Sequence, residues 1–180
     1  LAVTSRMSEI SQLEKKADYA ISEKDFIAAA TAWGALAERA PRVGKYQHML
    51  SYSLIGAGEL DGAAAAIEKQ LALGFQTGTG LYNLACVRSL EGNTEEAVSY
   101  LADSVLHGFN NYKLMKEDPD LTNIRDTKVF AKVYQTLLDR DRVRAEANLA
   151  MDFEDWDQAV ALYGQVVGFE NGQKNAKGSS

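Results

Sequence analysis

Apolar residues recur along this chain at spacings of three and four, the period of helices that bury one stripe. The stripes themselves repeat. Ala29, Ala63 and Ala97 stand 34 residues apart, and four residues after each comes a large apolar side chain, Trp33, Ile67 or Leu101. Upstream, Ala17, Ser51 and Ala85 form a second small column, preceded by Leu13, Gln47 and Leu81 and by Lys16, Leu50 and Leu84. Asp25, Glu59 and Asn93 mark a turn between the two small columns. Gly58 and Gly92 precede the last two of these, and Lys24 takes that place in the first. Pro41, Phe75 and Phe109 end the units.

This order predicts a helix, a tight turn and a second helix. A glycine closes the first helix in the left-handed conformation, and Asp25 or Asn93 caps the second. Asn93 with Glu96 has the spacing of a capping box. The small columns mark where the two helices of a hairpin touch. A lone hairpin leaves its apolar face bare, so neighbouring units must stack.

The third unit, with "LYNLA", "LEGNTEEA" and "YL", resembles the tetratricopeptide repeat family, as does the first, "SEKDFIAAATAWGALAERAP". The second departs at Gln47, where an aromatic residue or leucine is usual. The resemblance implies an all-α, right-handed superhelix of stacked antiparallel hairpins forming one domain over 1–180. Its regular units are 10–43, 44–77 and 78–111. The "DPDL…IR" pattern looks like the irregular closing repeat of many bacterial members and assigns 112–139 to such a unit. Here Pro119 breaks regular helix, Asp118 or Asp126 caps short turns, and Ala131 continues the alanine column. A last hairpin is expected over 140–168, with a polar flexible tail over 169–180. No breaker falls between Thr127 and Met151, which predicts one helix of about 25 residues. Arg140 and Arg144 stand at helical spacing from acidic neighbours. Such a helix carries the final hairpin, with Trp156 and Tyr163, out of the regular stack.

Composition narrows the functional classes. The net charge is −6, whereas a phosphate-backbone partner calls for a basic face, so no nucleic-acid partner is expected. The longest apolar run, Phe26 to Ala37, is short of the roughly 20 residues a bilayer needs, so no membrane insertion is expected. The single cysteine, Cys86, excludes an internal disulfide framework and a Cys-based zinc site. The chain begins at Leu1, which leaves signal-peptide removal and a trimmed chain as open alternatives. His48 and His107 lie far apart, and "DFEDWD" lacks the glycine and distal glutamate of a calcium loop; Asp155 reads as a helix cap. No nucleophile–base pair or phosphate loop is recognisable. No enzymatic activity, cofactor or metal is expected.

The family resemblance places binding on the concave face, lined by one side of each first helix. Carried over by column, these positions are Glu14, Asp18 and Ile21, then Lys45, His48, Tyr52 and Ile55, then Tyr82, Cys86 and Ser89. Tyr52 and Tyr82 stand out as large, low-entropy contact residues. For Lys45 and Ser89 a solvated face position is the stronger reading. The lysine, arginine and asparagine clamp that some members use for acidic chaperone tails is not reproduced. Glu14 and Asp18 occupy two of its columns, and Asn83 alone matches. The expectation is a scaffold for a protein or peptide segment, with a basic or neutral partner at the acidic first unit. The rival is an assembly module that self-associates, as a homodimer, through its C-terminal hairpin.

Overall fold

A computed structural model describes residues 2–171, with side-chain surroundings for 7–167. Among the described residues every regular element is helical. In chain order these are α1 (Ala2–Ser22), α2 (Phe26–Arg39), α3 (Gly44–Ala57), α4 (Leu60–Ala72), α5 (Thr77–Leu90), α6 (Thr94–Leu106), α7 (Tyr112–Glu117), a single 3-10 turn (Pro119–Leu121), α8 (Lys128–Asp152) and α9 (Trp156–Asn171). From α1 to α6 each helix packs on the next, giving three stacked hairpins, and α3 also touches α5.

Local chemistry fixes the turns. The Asp25 carboxylate accepts the Ala28 N–H at 3.0 Å, and the Asn93 side chain accepts that of Glu96 at 3.2 Å. Only this half of the expected capping box forms. The Asn93 N–H goes to the Arg88 carbonyl at 2.8 Å, and the Glu96 carboxylate pairs with Arg88. Gly58 and Gly92 close their helices at φ 78° and 79°, and Lys24 adopts the same left-handed conformation at φ 57°.

The repeating columns become the seams. Ala17, Ser51 and Ala85, Ala29, Ala63 and Ala97, and the large residues Trp33, Ile67 and Leu101 are all fully buried. Each of the three large side chains contributes about 1.5–3 kcal/mol by leaving water. Gly44 and Gly78 add a column that the alanine lattice did not expose. A Cβ on Gly78 would stand 2.6 Å from the His107 carbonyl oxygen, and one on Gly44 would stand 2.3 Å from Phe75 Cβ. Helix A of each unit thus enters hard against the end of its own helix B.

The fourth unit breaks the pattern. Six-residue α7 and the 3-10 turn replace a full helix, and Asp118 caps the turn ahead of Pro119. Met115, Leu121 and Ile124 are fully buried, in one cluster with Ala97, Leu101 and Phe109. α8 then runs unbroken for 25 residues from its Thr127 cap, passing residues 139 and 140 where a unit boundary was expected. Ala131 is exposed, so it does not continue the alanine seam. With no full partner helix to approach closely, α8 turns Phe130, Val133 and Leu137 inward instead. Arg140 also points inward, only 3% exposed, and donates to the Val105 and Phe109 carbonyls at 2.6 Å each. It holds α8 to the C-terminal end of α6, where a cation suits the helix dipole. α9 packs back on α8, with Asp155 accepting the Gln158 N–H and the Tyr163 hydroxyl donating to Asn148. Helix α9 continues to Asn171; the rest of the expected tail, 172–180, lies outside the described residues.

Candidate functional site

Helices α3 and α5 form two walls of an open hollow of about 570 Å³, and the closing segment around Asp118 forms its end. His48, Tyr52 and Ile55 line it from α3, one helical turn apart, and Tyr82 and Cys86 line it from α5. Five of the ten positions expected on the binding face therefore converge. Tyr52 is 46% exposed and sits edge-on to Phe26, ring centroids 6.1 Å apart. Tyr82 is 2% exposed, its ring stacked on Phe109 at 4.1 Å. It is an anchor more than a contact surface, since its hydroxyl donates to Asp118 Oδ2 at 2.7 Å. Asp118 Oδ1 accepts the Asp120 N–H at 3.0 Å, and the Cys86 thiol lies 3.8 Å from Oδ2. One carboxylate thus ties the irregular unit to helix α5. Asn123 adds a second tie, donating to the Ser89 carbonyl at 2.7 Å.

The electrostatics follow from burial and the two neighbouring acids. Burial first, then the charges of Asp118 and Asp120, pushes the Cys86 thiol well up. A reactive cysteine needs the opposite environment. Burial also pushes the Tyr82 hydroxyl up, and both residues remain protonated donors. Burial and then Asp118 raise Asp120 above its ordinary value. His48 is lowered by burial, which keeps its ring neutral at pH 7, with Nδ1 3.3 Å from Gln70 Oε1. The donor atoms of Cys86, Asp118 and Asp120 lie within 4.8 Å of one another, a grouping that could hold a cation. The thiol stays protonated and Asp118 already accepts protein donors, so within this grouping Asp118 holds the closing unit in place.

The other expected positions lie elsewhere. Glu14 is engaged within the chain, accepting the Tyr46 hydroxyl at 3.1 Å and pairing with Lys45 at 3.6 Å. Lys45 also lies 5.5 Å above the Trp33 ring. Of the two acids expected to make the first unit negative, Glu14 is therefore balanced internally. Asp18 is exposed, and Ile21 packs against the core of α1 and α2. Ser89 is fully buried, so it is neither a solvated nor an open groove position. Conversely, Phe26, Asn83, Asp118 and Asp120 line the hollow without having been singled out for it. Asn83 carried a sequence signal as the single match to the clamp pattern. The two aspartates come from the non-repeating segment, where column matching has no purchase. A second hollow of about 500 Å³ is lined by Glu38, Gln47, Leu50, Lys69 and Leu73, none of them an expected binding-face position.

No protein-family model matches the chain, and no curated protein matches it in sequence. Among solved structures it is similar to the crystal structure of the P58(IPK) TPR domain, at 16% identity and a TM-score of 0.54. The match covers 94% of this chain and 43% of that one, so the chain spans less than half the length of that structure. At this identity the likeness concerns the fold. Together with the repeating buried seams and the order of helix packing, it identifies the architecture: the chain has the tetratricopeptide repeat fold, an all-α stack of antiparallel helix hairpins.

Proposed function

We propose that the chain is a non-enzymatic protein-interaction scaffold that binds a protein or peptide segment in the hollow between α3 and α5. The observation that carries this reading is the convergence of Tyr52, Ile55 and His48 on a hollow of about 570 Å³ that is open to solvent. Aromatic and aliphatic surface around a few polar groups is the usual lining of a recognition site. The fold supports protein partners in general. Among the described residues no helix is long and apolar enough to cross a membrane. The test uses Tyr52→Ala, because Tyr52 is half exposed whereas removing Tyr82 would also release Asp118. Tyr52→Ala should weaken binding of a segment selected on the wild-type chain while leaving the melting temperature within about 1 °C of the parent. Full retention of binding would reject the groove.

A second reading, self-association through the C-terminal helices, is favoured by one feature. Leu149 on α8, Phe153 in the turn after it, and Trp156, Val160 and Val167 on α9 are all at least half exposed. Large apolar side chains exposed together mark interaction surfaces. Sedimentation that stays monomeric across a hundredfold concentration range would remove this reading.

A further inference from the structure

The hollow between α3 and α5 carries an uncompensated charge. Asp118 and Asp120 both line it, with carboxylate oxygens within 4.8 Å of each other. Their situations differ. Asp118 accepts the Tyr82 hydroxyl and the Asp120 N–H, so its charge is held by donors. The Asp120 carboxylate is half-buried and has no hydrogen bond or ion pair among the described residues. Burying a carboxylate beside a like charge with no counter-ion is costly. His48 is the one basic side chain in the lining, and its ring is neutral; the Arg125 guanidinium, outside the lining, donates to the Asp118 backbone carbonyl and not to either carboxylate.

The rest of the lining suits a particular shape of cation. Tyr52 and Phe26 present aromatic surface and Ile55 aliphatic surface, with the stacked Tyr82 and Phe109 rings behind them, the surroundings that accept an alkyl stem and favour a positive head group. Asn83 lines the same hollow, and its Nδ2 is buried without a hydrogen-bond partner. A bare divalent ion fits less well: it needs oxygen ligands closing around it, whereas these walls are largely apolar and the third donor is a protonated thiol.

Resting on the groove reading above, we propose that the hollow receives one lysine or arginine side chain of the bound segment, its stem against Tyr52 and Ile55 and its charge against Asp120 and Asp118. Asp118 has a dual part: it ties the irregular unit to Tyr82 and thereby sets Asp120 opposite α3. The irregular unit then acts as a charge-selective end wall as well as a cover for the stack.

The test is selection of a random peptide library on the immobilised full chain in the presence of EDTA, repeated on Asp120→Asn. The substitution keeps the turn, because the Asp120 backbone N–H and not its side chain bonds to Asp118. Circular dichroism and melting of the variant check that it folds. Peptides from the wild-type chain should share one lysine or arginine position, and the Asp120→Asn selection should lose that preference. Fluorescence anisotropy of one such peptide should show about a tenfold loss with Asp120→Asn, and no further loss when the basic residue is also replaced by norleucine. A shared basic position that Asp120→Asn leaves equally preferred would overturn the cation pocket while leaving the groove intact. So would selected peptides with no shared basic position, or a wild-type chain that binds the basic peptide only when calcium or zinc is added. Recovery of no binders, or of binders indifferent to Tyr52→Ala, would remove the groove reading and the pocket with it.

Discussion

Tyr82→Phe isolates the tie between the regular stack and its closing unit. The substitution removes one oxygen and keeps the ring, so the stack on Phe109, with planes 6° apart, is preserved. What is lost is a hydroxyl donor 2.7 Å from the Asp118 carboxylate, in a residue only 2% exposed. A hydrogen bond to a charged group contributes about 1.5–3 kcal/mol. Asp118 retains the Asp120 N–H and the more distant Cys86 thiol, which places the cost in the lower half, about 1.5–2 kcal/mol. For a chain of this length that lowers the melting temperature by roughly 3–8 °C. Hydrogen exchange localises the effect. The amides of Leu121, Thr122 and Ile124 donate to carbonyls within the closing segment, and local opening should speed their exchange about tenfold to thirtyfold. Amides in α2 should be unaffected. Exchange of the three amides within twofold of the parent, with an unchanged melting temperature, would refute the anchoring role of Tyr82 and Asp118.

Three further outcomes follow from the packing and charges. Ala97→Leu forces methylenes into a fully buried seam and should cost about 1–3 kcal/mol; a parental melting temperature would show that the seam is looser than described. Arg140→Met keeps the stem but leaves the Val105 and Phe109 carbonyls without their guanidinium donors. After the relieved desolvation of the charge it should cost about 2–4 kcal/mol in urea denaturation, and an unchanged midpoint would contradict the tie between α8 and α6. Asp120→Asn should stabilise the chain at pH 7. The folded state raises this carboxyl's pKa above its ordinary 3.8, so its charge disfavours folding increasingly above pH 3.8 and fully once pH passes the raised value. The gain should vanish below pH 3.8, and equal melting temperatures at pH 7 would count against the uncompensated charge.

The parts of the fold legible in the sequence are those that packing forces to repeat. A hairpin seam admits only small residues, so Ala29, Ala63 and Ala97 announce their burial by period alone. Trp33, Ile67 and Leu101 follow because each fills the space beside a seam. Thr127 to Met151 reads as one helix because it lacks any breaker, and α8 has nearly those bounds. Ala131 misled for the same physical reason that the others informed: its column position matched, but no full-length partner helix faces it. Arg140 read as a surface charge at helical spacing, because its carbonyl partners lie more than 30 residues away in sequence. At the site, Tyr52, Ile55 and Tyr82 were legible as column positions. Asp118 and Asp120 were not, since their placement depends on how a non-repeating segment folds back over α5. Ser89 holds an apparently open column position, but the same fold-back covers it.

The central claim is that the face between α3 and α5, ended by the closing unit, is where a partner segment lies. Hydrogen exchange of the full chain, with and without a saturating peptide selected on it, tests this directly. Exchange should slow in α3 near Tyr52, in α5 near Asn83 and in the segment around Asp118 to Leu121, with α9 unchanged. Protection confined to α8 and α9, with these three regions exchanging as in the free chain, would contradict it.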